Sequence, residues 1–354
     1  MSRFFSQKYA SLEPYVPGEQ PQDMVYVKLN TNESPFPPCE AAVKAAEEAA
    51  KKLQLYPDPD SKALVMKLAE TYGVLPEQVC VNNGSDETLN FAFMAFCDAD
   101  TPAVFPDITY GFYPVFARLN GVPYAEIPLE ADFTVNVEKY KNAGKTVFIA
   151  NPNAPTGIAL GLKEIAALCE TNPENVIVID EAYVDFGAQS AVKLIDTYEN
   201  LLVVQTFSKS RSMAGGRLGF GIGSAALISD LNTVKYSTNP YNINRITAAA
   251  GQAILENESY TRENCRAIME NRAYTVRALL SLGFTCTDSK SNFIFTKTEK
   301  IGGGALYKAL KARGVLVRHF NKPRITDYIR VTVGSREQMD TFIARVKEIL
   351  EEVK

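Results

Sequence analysis

Through residue 223 the chain repeats one pattern. A short apolar, β-branched run ends in polar or glycine-bearing residues, and a helical pattern follows. Val79–Asn82, Ala103–Phe105, Lys145–Ala150, Asn175–Ile179, Leu201–Phe207 and Gly219–Gly223 are such runs. Runs this continuously apolar expose no polar face and must be covered on both sides, as in a parallel sheet packed between helices. The alternation therefore predicts an α/β fold, a doubly wound and mainly parallel sheet. Open sheets of this kind bind ligands outside the carboxyl ends of their strands. The residues that follow each run are therefore the first candidates for a site.

Leu201–Phe220, LLVVQTFSKSRSMAGGRLGF, carries the most chemistry. Its buried strand leads to Thr206, Ser208 and Lys209, with Arg217 eight residues beyond the lysine. A lysine at a sheet edge is partly desolvated, and its amine can act as nucleophile and base. Neighbouring hydroxyls and an arginine can hold a phosphate beside it. A phosphate-anchored aldehyde, pyridoxal phosphate (PLP), fits that combination. Taken alone, the stretch also reads as a solvated lysine in a surface loop.

Other strand ends point the same way. Asn83-Gly84-Ser85-Asp86-Glu87 opens an apolar helix, and either caps it or turns free N–H groups toward a phosphate. Asp107–Tyr113 sets aromatics after a strand, and Asn151-Pro152-Asn153-Ala154-Pro155-Thr156-Gly157 is a rigid turn with the potential for cis bonds. Asp180 follows buried β-branched residues and needs a partner. Asp60 is a candidate N-cap for a helix running to Tyr72.

Composition removes several functions. Lys and Arg number 37 against 41 Asp and Glu, a net of −4, which is no footprint for nucleic acid or an anionic membrane. The first residues lack a secretory core and no run reaches spanning length. The six cysteines show no CxxC spacing and read as reduced thiols of a cytoplasmic protein. With His319 as the one histidine, a His-based zinc site or a Ser-His-Asp triad has almost no material to be built from. No metal is expected, and His319 reads as packing. No G-x-G-x-x-G follows the first strand, which argues against NAD. A regulator built on such a fold would need a DNA-binding segment, for which there is neither basic charge nor spare length.

Three units are expected: an arm over residues 1–33, a large domain over 34–244, and a small α+β domain over 245–354 with an antiparallel sheet. The arm lies against its own body or a partner subunit.

In order along the chain, LNTNESP, YPDP, NGSDE, NPNAPTG, DEAYVDF, SKS…GGRLGF, SNFIF, VRHF and IRVTVG resemble the fold type I PLP-dependent aminotransferases, in the histidinol-phosphate aminotransferase branch. The resemblance covers nearly the whole chain. It implies that Lys209 carries the cofactor and moves the substrate's α-proton. It implies Asp180 at the pyridine nitrogen, Tyr183 at O3′ and Tyr110 on the ring face. Ser85, Asp86, Ser208 and Arg217 would hold the phosphate, joined by Tyr56 from the other subunit of a homodimer. Arg330 would bind a substrate carboxylate, Arg318 an anionic end, and Tyr15 the substrate phosphate. The reaction implied pairs a small-molecule amino donor, histidinol phosphate, with a 2-oxo acid, 2-oxoglutarate. Aromatic aminotransferases and a threonine-phosphate decarboxylase are the alternatives on the same scaffold. The family usually has asparagine before Pro-Thr-Gly; here it is Ala154, so either Asn153 takes over the O3′ contact by a shifted loop, the preferred reading, or the contact is absent and Tyr183 carries it alone.

Overall fold

A computed structural model describes every residue except Met1, Ser11, Val16 and Lys354. Leading from the arm, strand β1 (Val27–Lys28) pairs in parallel with Val315–Leu316 of the C-terminal half. Seven strands then build the main sheet: β2 (Val79–Asn82), β3 (Ala103–Pro106), β4 (Tyr124–Ile127), β5 (Thr146–Ala150), β6 (Ile177–Asp180), β7 (Leu201–Thr206) and β8 (Gly219–Gly223). Their spatial order is β2-β8-β7-β6-β5-β3-β4. Only β8 runs against its neighbours, antiparallel to both β7 and β2. The sheet is mainly parallel and doubly wound, as the repeated apolar runs require.

Successive side chains on a strand face opposite ways, and the core follows that rule. Val147, Ile149, Ile177, Ile179, Leu201 and Val203 enter one cluster. Phe148, Val178, Leu202 and Val204 enter the other. Helices α1 (Glu40–Ala50), α2 (Lys62–Tyr72), α5 (Leu162–Thr171) and α7 (Arg245–Glu256) supply apolar residues to the first. Helices α3 (Ser85–Phe96), α4 (Tyr113–Asn120) and α6 (Ala225–Thr238) supply the second, where Phe93 stacks on Phe148 at 4.0 Å between ring centroids. Strands buried on both faces cannot tolerate polar side chains, so polar residues gather at their ends.

The first cluster runs on to Leu255, and from Cys265 onward a further cluster takes over, joined by Leu29 and Phe186 from earlier in the chain. It holds the long helix α8 (Glu258–Ser281), α9 (Gly303–Ala312) and α10 (Arg336–Glu352) against a four-stranded antiparallel sheet. That sheet joins β9 (Phe284–Cys286), β10 (Phe293–Thr298), β12 (Arg318–His319) and β13 (Ile329–Thr332); β11 is the Val315–Leu316 partner of the arm. Ser335 and Gln338 cap α10 reciprocally.

The arm lies on its own chain. Tyr15 stacks on Phe112 at 4.3 Å, Glu13 pairs with Arg118 at 3.4 Å, and Glu19 accepts bonds from Tyr307 and Lys311. Leu29 is buried in the small core. The arm thus touches both sides of the cleft between the sheets. Asp60 does not cap α2. Asp58 does, accepting from the backbone N–H of Asp60 at 3.1 Å and of Lys62 at 2.9 Å, while the Asp60 carboxylate accepts from Tyr236. The left-handed Ser61 places the helix start over Asp58 instead.

Candidate active site

The carboxyl ends of β2, β3, β5, β6 and β7 share one edge of the sheet. The reversed strand β8 brings its amino end, and with it Arg217, to the same edge. A cavity of about 340 Å³ opens there. Ser85, Asp86, Tyr110, Asp180, Tyr183, Ser208, Lys209 and Arg217 all line it. Ser85 and Arg217, 132 residues apart in sequence, are joined here by topology alone.

Asp180 ends β6 and is buried. Its carboxylate accepts from the Tyr113 hydroxyl at 3.1 Å and the Ala182 N–H at 3.2 Å, both neutral donors. Burial pushes its pKa from 3.8 up to about 7, although those two donors pull it down. No cation is ion-paired with it among the described residues. Tyr113 was not among the sequence candidates. It lies three residues after Tyr110, at the start of α4, and that proximity is the one signal of its role.

Lys209 is half-buried beyond β7. Its ammonium donates to the Thr31 carbonyl at 3.2 Å and lies 5.9 Å from the centre of the Tyr183 ring. Thr31 and Glu33 of the arm also line the cavity. Glu33 is pushed up by burial, but bonds from Lys28 and Thr31 outweigh this and hold it below its ordinary range. The Tyr183 hydroxyl accepts from Asn32 at 3.0 Å.

The other end of the cavity is a cradle. Helix α3 starts at Ser85 after Gly84, with no side chain capping it. Its first N–H groups and positive dipole end suit an anion. A Cβ on Gly219 would lie 2.2 Å from the Ser85 nitrogen, so β8 can approach this closely only with glycine there. Gly84, at φ +83°, passes the Arg217 guanidinium just as closely: a Cβ would sit 2.6 Å from Nη2. Arg217 bonds Asp86 at 3.1 Å, and Asp86 accepts from Tyr110 at 2.7 Å. Burial and that carboxylate raise the Tyr110 pKa well above its ordinary value. Ser208 accepts from the Thr206 hydroxyl at 2.9 Å.

Behind the lysine runs a buried relay that sequence reading missed. Glu181 accepts from Ser190, the Ala191 N–H and Gln205; Gln205 accepts from Tyr72; Tyr72 accepts from Arg211 at 2.9 Å. Arg211 pairs with Asp185 at 3.4 Å and Glu258 at 3.6 Å. Burial pushes Glu181 up to about 7 against those bonds. The relay ties the loops after β6 and β7, which carry Asp180 and Lys209, into one polar unit.

A second cavity of about 300 Å³ shares Tyr110, Tyr183 and Lys209 with the first. Tyr15, Arg318 and Arg330 line it. Arg330 donates to the Asn30 carbonyl at 3.0 Å, while its Nε is buried without a partner among the described residues. Desolvation, with Arg318 nearby, lowers its pKa. Arg318 donates to the Pro17 carbonyl at 3.3 Å. His319 contacts the Thr326 carbonyl at 2.8 Å and packs by Tyr307.

Two sequence candidates lie elsewhere. Asn153 does not reach the cavity, and Ala154 lines it instead. The Asn153 amide donates to the Ile108 carbonyl at 2.9 Å and to Thr156 at 3.1 Å, and accepts from Thr109 at 2.8 Å. Its hydrogen-bonding capacity is spent on holding the turn, in which Asn151-Pro152 and Ala154-Pro155 are both cis. Tyr56 is 77% exposed and stacks on Tyr241 at 4.6 Å, outside the cavity of its own chain.

The residues present fit PLP. The buried Asp180 carboxylate suits a cation, the α3 cradle suits an anion, and the amine of Lys209 lies beside the Tyr183 ring on the wall of the same cavity. No cluster of metal-ligating side chains occurs among the described residues. None of the described helices is long and apolar enough to cross a membrane.

A family model described as aminotransferase class I and II matches residues 25–346. The chain is 47% identical over 352 residues to a histidinol-phosphate aminotransferase of Brachyspira hyodysenteriae, covering 99% of each. It is 48% identical over 350 residues to one of Acinetobacter baumannii, covering 98% of this chain and 97% of the other. In fold it resembles the histidinol-phosphate aminotransferase of Sinorhizobium meliloti solved with pyridoxal 5′-phosphate, with a TM-score of 0.91, 23% identity and coverage of 100% and 99%.

Proposed function

Because the chain belongs to the class I and II aminotransferases, we propose that it moves the amino group of L-histidinol phosphate to 2-oxoglutarate. The products are imidazole acetol phosphate and L-glutamate, a step of histidine biosynthesis. The observation that carries this reading is identity of 47% across 99% of both chains with a relative of that name. The cavity supports it, with Arg318 and Arg330 placed to receive an anionic donor.

The cofactor is pyridoxal 5′-phosphate, which when bound supplies an electron sink for the substrate's α-carbon and a carbonyl carbon to carry the amino group. Asp180 would hold a proton at the ring nitrogen, its own burial cost then offset by a cation. Tyr113 orients that carboxylate. Tyr110 would lie on the ring face and Tyr183 at O3′. The N–H groups of Ser85 and Asp86, with Ser208 and Arg217, would hold the phosphate. Lys209 Nζ would hold the cofactor covalently and, as a free amine, would carry the proton away from the substrate's α-carbon. Arg330 and Arg318 hold the donor's anion, which leaves its α-carbon near Lys209 at the wall shared by both cavities. Tyr15 and Gly18 of the arm line the same space.

A homodimer belongs to the same reading. Tyr56, exposed and remote from its own cavity, is suited to reach the phosphate cradle of a second copy. The six cysteines, all unpaired, support a reducing cytoplasm. The aromatic residues Tyr15, Tyr110 and Phe320 in the second cavity suit a phenyl ring as well as an imidazole, so an aromatic amino acid is the alternative donor.

A half-reaction tests the proposal. Histidinol phosphate added to the PLP-loaded protein without oxo acid should shift the visible absorption band. Adding 2-oxoglutarate should restore it and release an equal amount of glutamate. A band unmoved by histidinol phosphate refutes the donor.

A further inference from the structure

The second cavity has an unusual charge balance. Lys209, Arg318, Lys322 and Arg330 line it, and among the described residues no aspartate or glutamate does. Three of these cations have roles in the reaction proposed above; Lys322 has none. It follows β12 and is exposed at the rim. Its ammonium makes one hydrogen bond among the described residues, to the main-chain carbonyl of Asp107 at 2.8 Å. The Asp107 carboxylate does not neutralise it. That group is taken by Arg324 at 3.1 Å and by the N–H groups of Ile108 and Leu129 at 2.8 and 2.9 Å. An ammonium has three donors, so two remain for a ligand.

We propose that Lys322 is a specificity-determining residue that binds the phosphate of the amino donor and favours it over a carboxylate donor. The proposal rests on the substrate reading above. With the α-carbon held near Lys209, a carboxylate is attached directly to that carbon. The phosphorus of a CH2–O–phosphate lies two bonds farther out, toward the rim. It also presents three terminal oxygens and a charge of about −1.5 to −2 at pH 7. Arg330, partly buried, and Arg318 serve either anion. The rim lysine is placed to meet the longer and more highly charged group rather than a carboxylate on the α-carbon itself. Because Lys322 is solvent-exposed, its contribution is that of one charge-assisted hydrogen bond at a partly screened site, about tenfold in affinity.

The test compares the half-reactions of the PLP-loaded wild type, Lys322→Met and Lys322→Arg with histidinol phosphate and with phenylalanine, whose one carboxylate sits on the α-carbon. In Lys322→Met the ratio of KM for histidinol phosphate to KM for phenylalanine should rise about tenfold, with kcat for histidinol phosphate within about twofold of wild type. Lys322→Arg should restore most of the ratio. A visible-band titration with histidinol phosphate should show the same loss as a rise in Kd. Equal losses for both substrates would mean that Lys322 only supports the Asp107 carbonyl, and no loss would mean that it makes no contact; either overturns the proposal. If the wild type fails to turn over histidinol phosphate, the substrate reading falls first and takes the proposal with it.

Discussion

Asp180→Asn separates what the protein fold requires from what the cofactor requires. In the cofactor-free protein the carboxyl is pushed from 3.8 up to about 7 by burial. A raised pKa means that the folded state favours the protonated form. That contribution to stability is fully present below about 3.8 and lost as pH rises through about 7. At about 1.4 kcal/mol per unit, the ionised carboxylate costs the cofactor-free fold about 4 kcal/mol at pH 8, and on the order of 1.5 kcal/mol at pH 5. Asparagine carries no such cost, but leaves an amide N–H without an acceptor, a penalty of about 1–3 kcal/mol. The variant should therefore be more stable than wild type by about 2 kcal/mol at pH 8, with the advantage gone or reversed at pH 5. Glu181, which titrates in the same range, is present in both proteins and cancels in the difference. Urea unfolding of the cofactor-free proteins at the two pH values reads the gap directly. With PLP bound the order should invert, because the wild-type carboxylate gains a cation and the amide does not; the variant should also lose most of its activity. A wild-type-to-variant gap that stays flat within about 1 kcal/mol from pH 5 to pH 8 would refute the claim that Asp180 is a buried carboxylate awaiting a charge.

Three further outcomes are expected. Lys209→Ala should lower transamination by several orders of magnitude, since anchor and proton carrier vanish together, while circular dichroism stays as in wild type; substantial turnover with normal PLP uptake would place the chemistry on another lysine. Tyr113→Phe should lower kcat about tenfold, the order of a hydrogen bond to a charged group, and an unchanged kcat would remove Tyr113 from the site. Mixing Tyr56→Phe chains with Lys209→Ala chains should recover activity beyond either parent, because hybrid dimers hold one site free of both lesions. No recovery, with hybrids shown to form, would confine Tyr56 to its own subunit's site or exclude it from both.

Much of this was legible in the sequence because buried strands concentrate polar residues at their ends. Asp180 and Lys209 lie at the ends of such runs, Arg217 stands just before one, and all three line one cavity. Strand β4 was not legible: Tyr124–Ile127 lies at the sheet edge, half-exposed, and lacks the continuous apolar run of its neighbours. Helix α6 was missed because its apolar residues form no clear stripe. Tyr113 escaped because its partner, Asp180, is 67 residues away and its neighbourhood is uniformly aromatic. The Glu181–Gln205–Tyr72–Arg211 relay joins four elements and has no local signature. Asn153 was misplaced for a different reason: adjacency to Ala154 says nothing about where an amide points once the turn needs its hydrogen bonds. Tyr56 cannot be judged from one chain, since its expected partner is on another.

The most direct test of the account is kcat/KM for histidinol phosphate, histidinol, phenylalanine and tyrosine, measured side by side with 2-oxoglutarate as acceptor. Arg318 and Arg330 line a cavity without a single acidic residue among the described residues, and the phosphate supplies binding energy that the free alcohol lacks. Histidinol phosphate should therefore exceed histidinol by a wide margin and exceed both aromatic amino acids. If phenylalanine or tyrosine wins by tenfold or more, the protein is an aromatic aminotransferase on the same scaffold, and the substrate assignment is wrong while the chemistry at Lys209 stands.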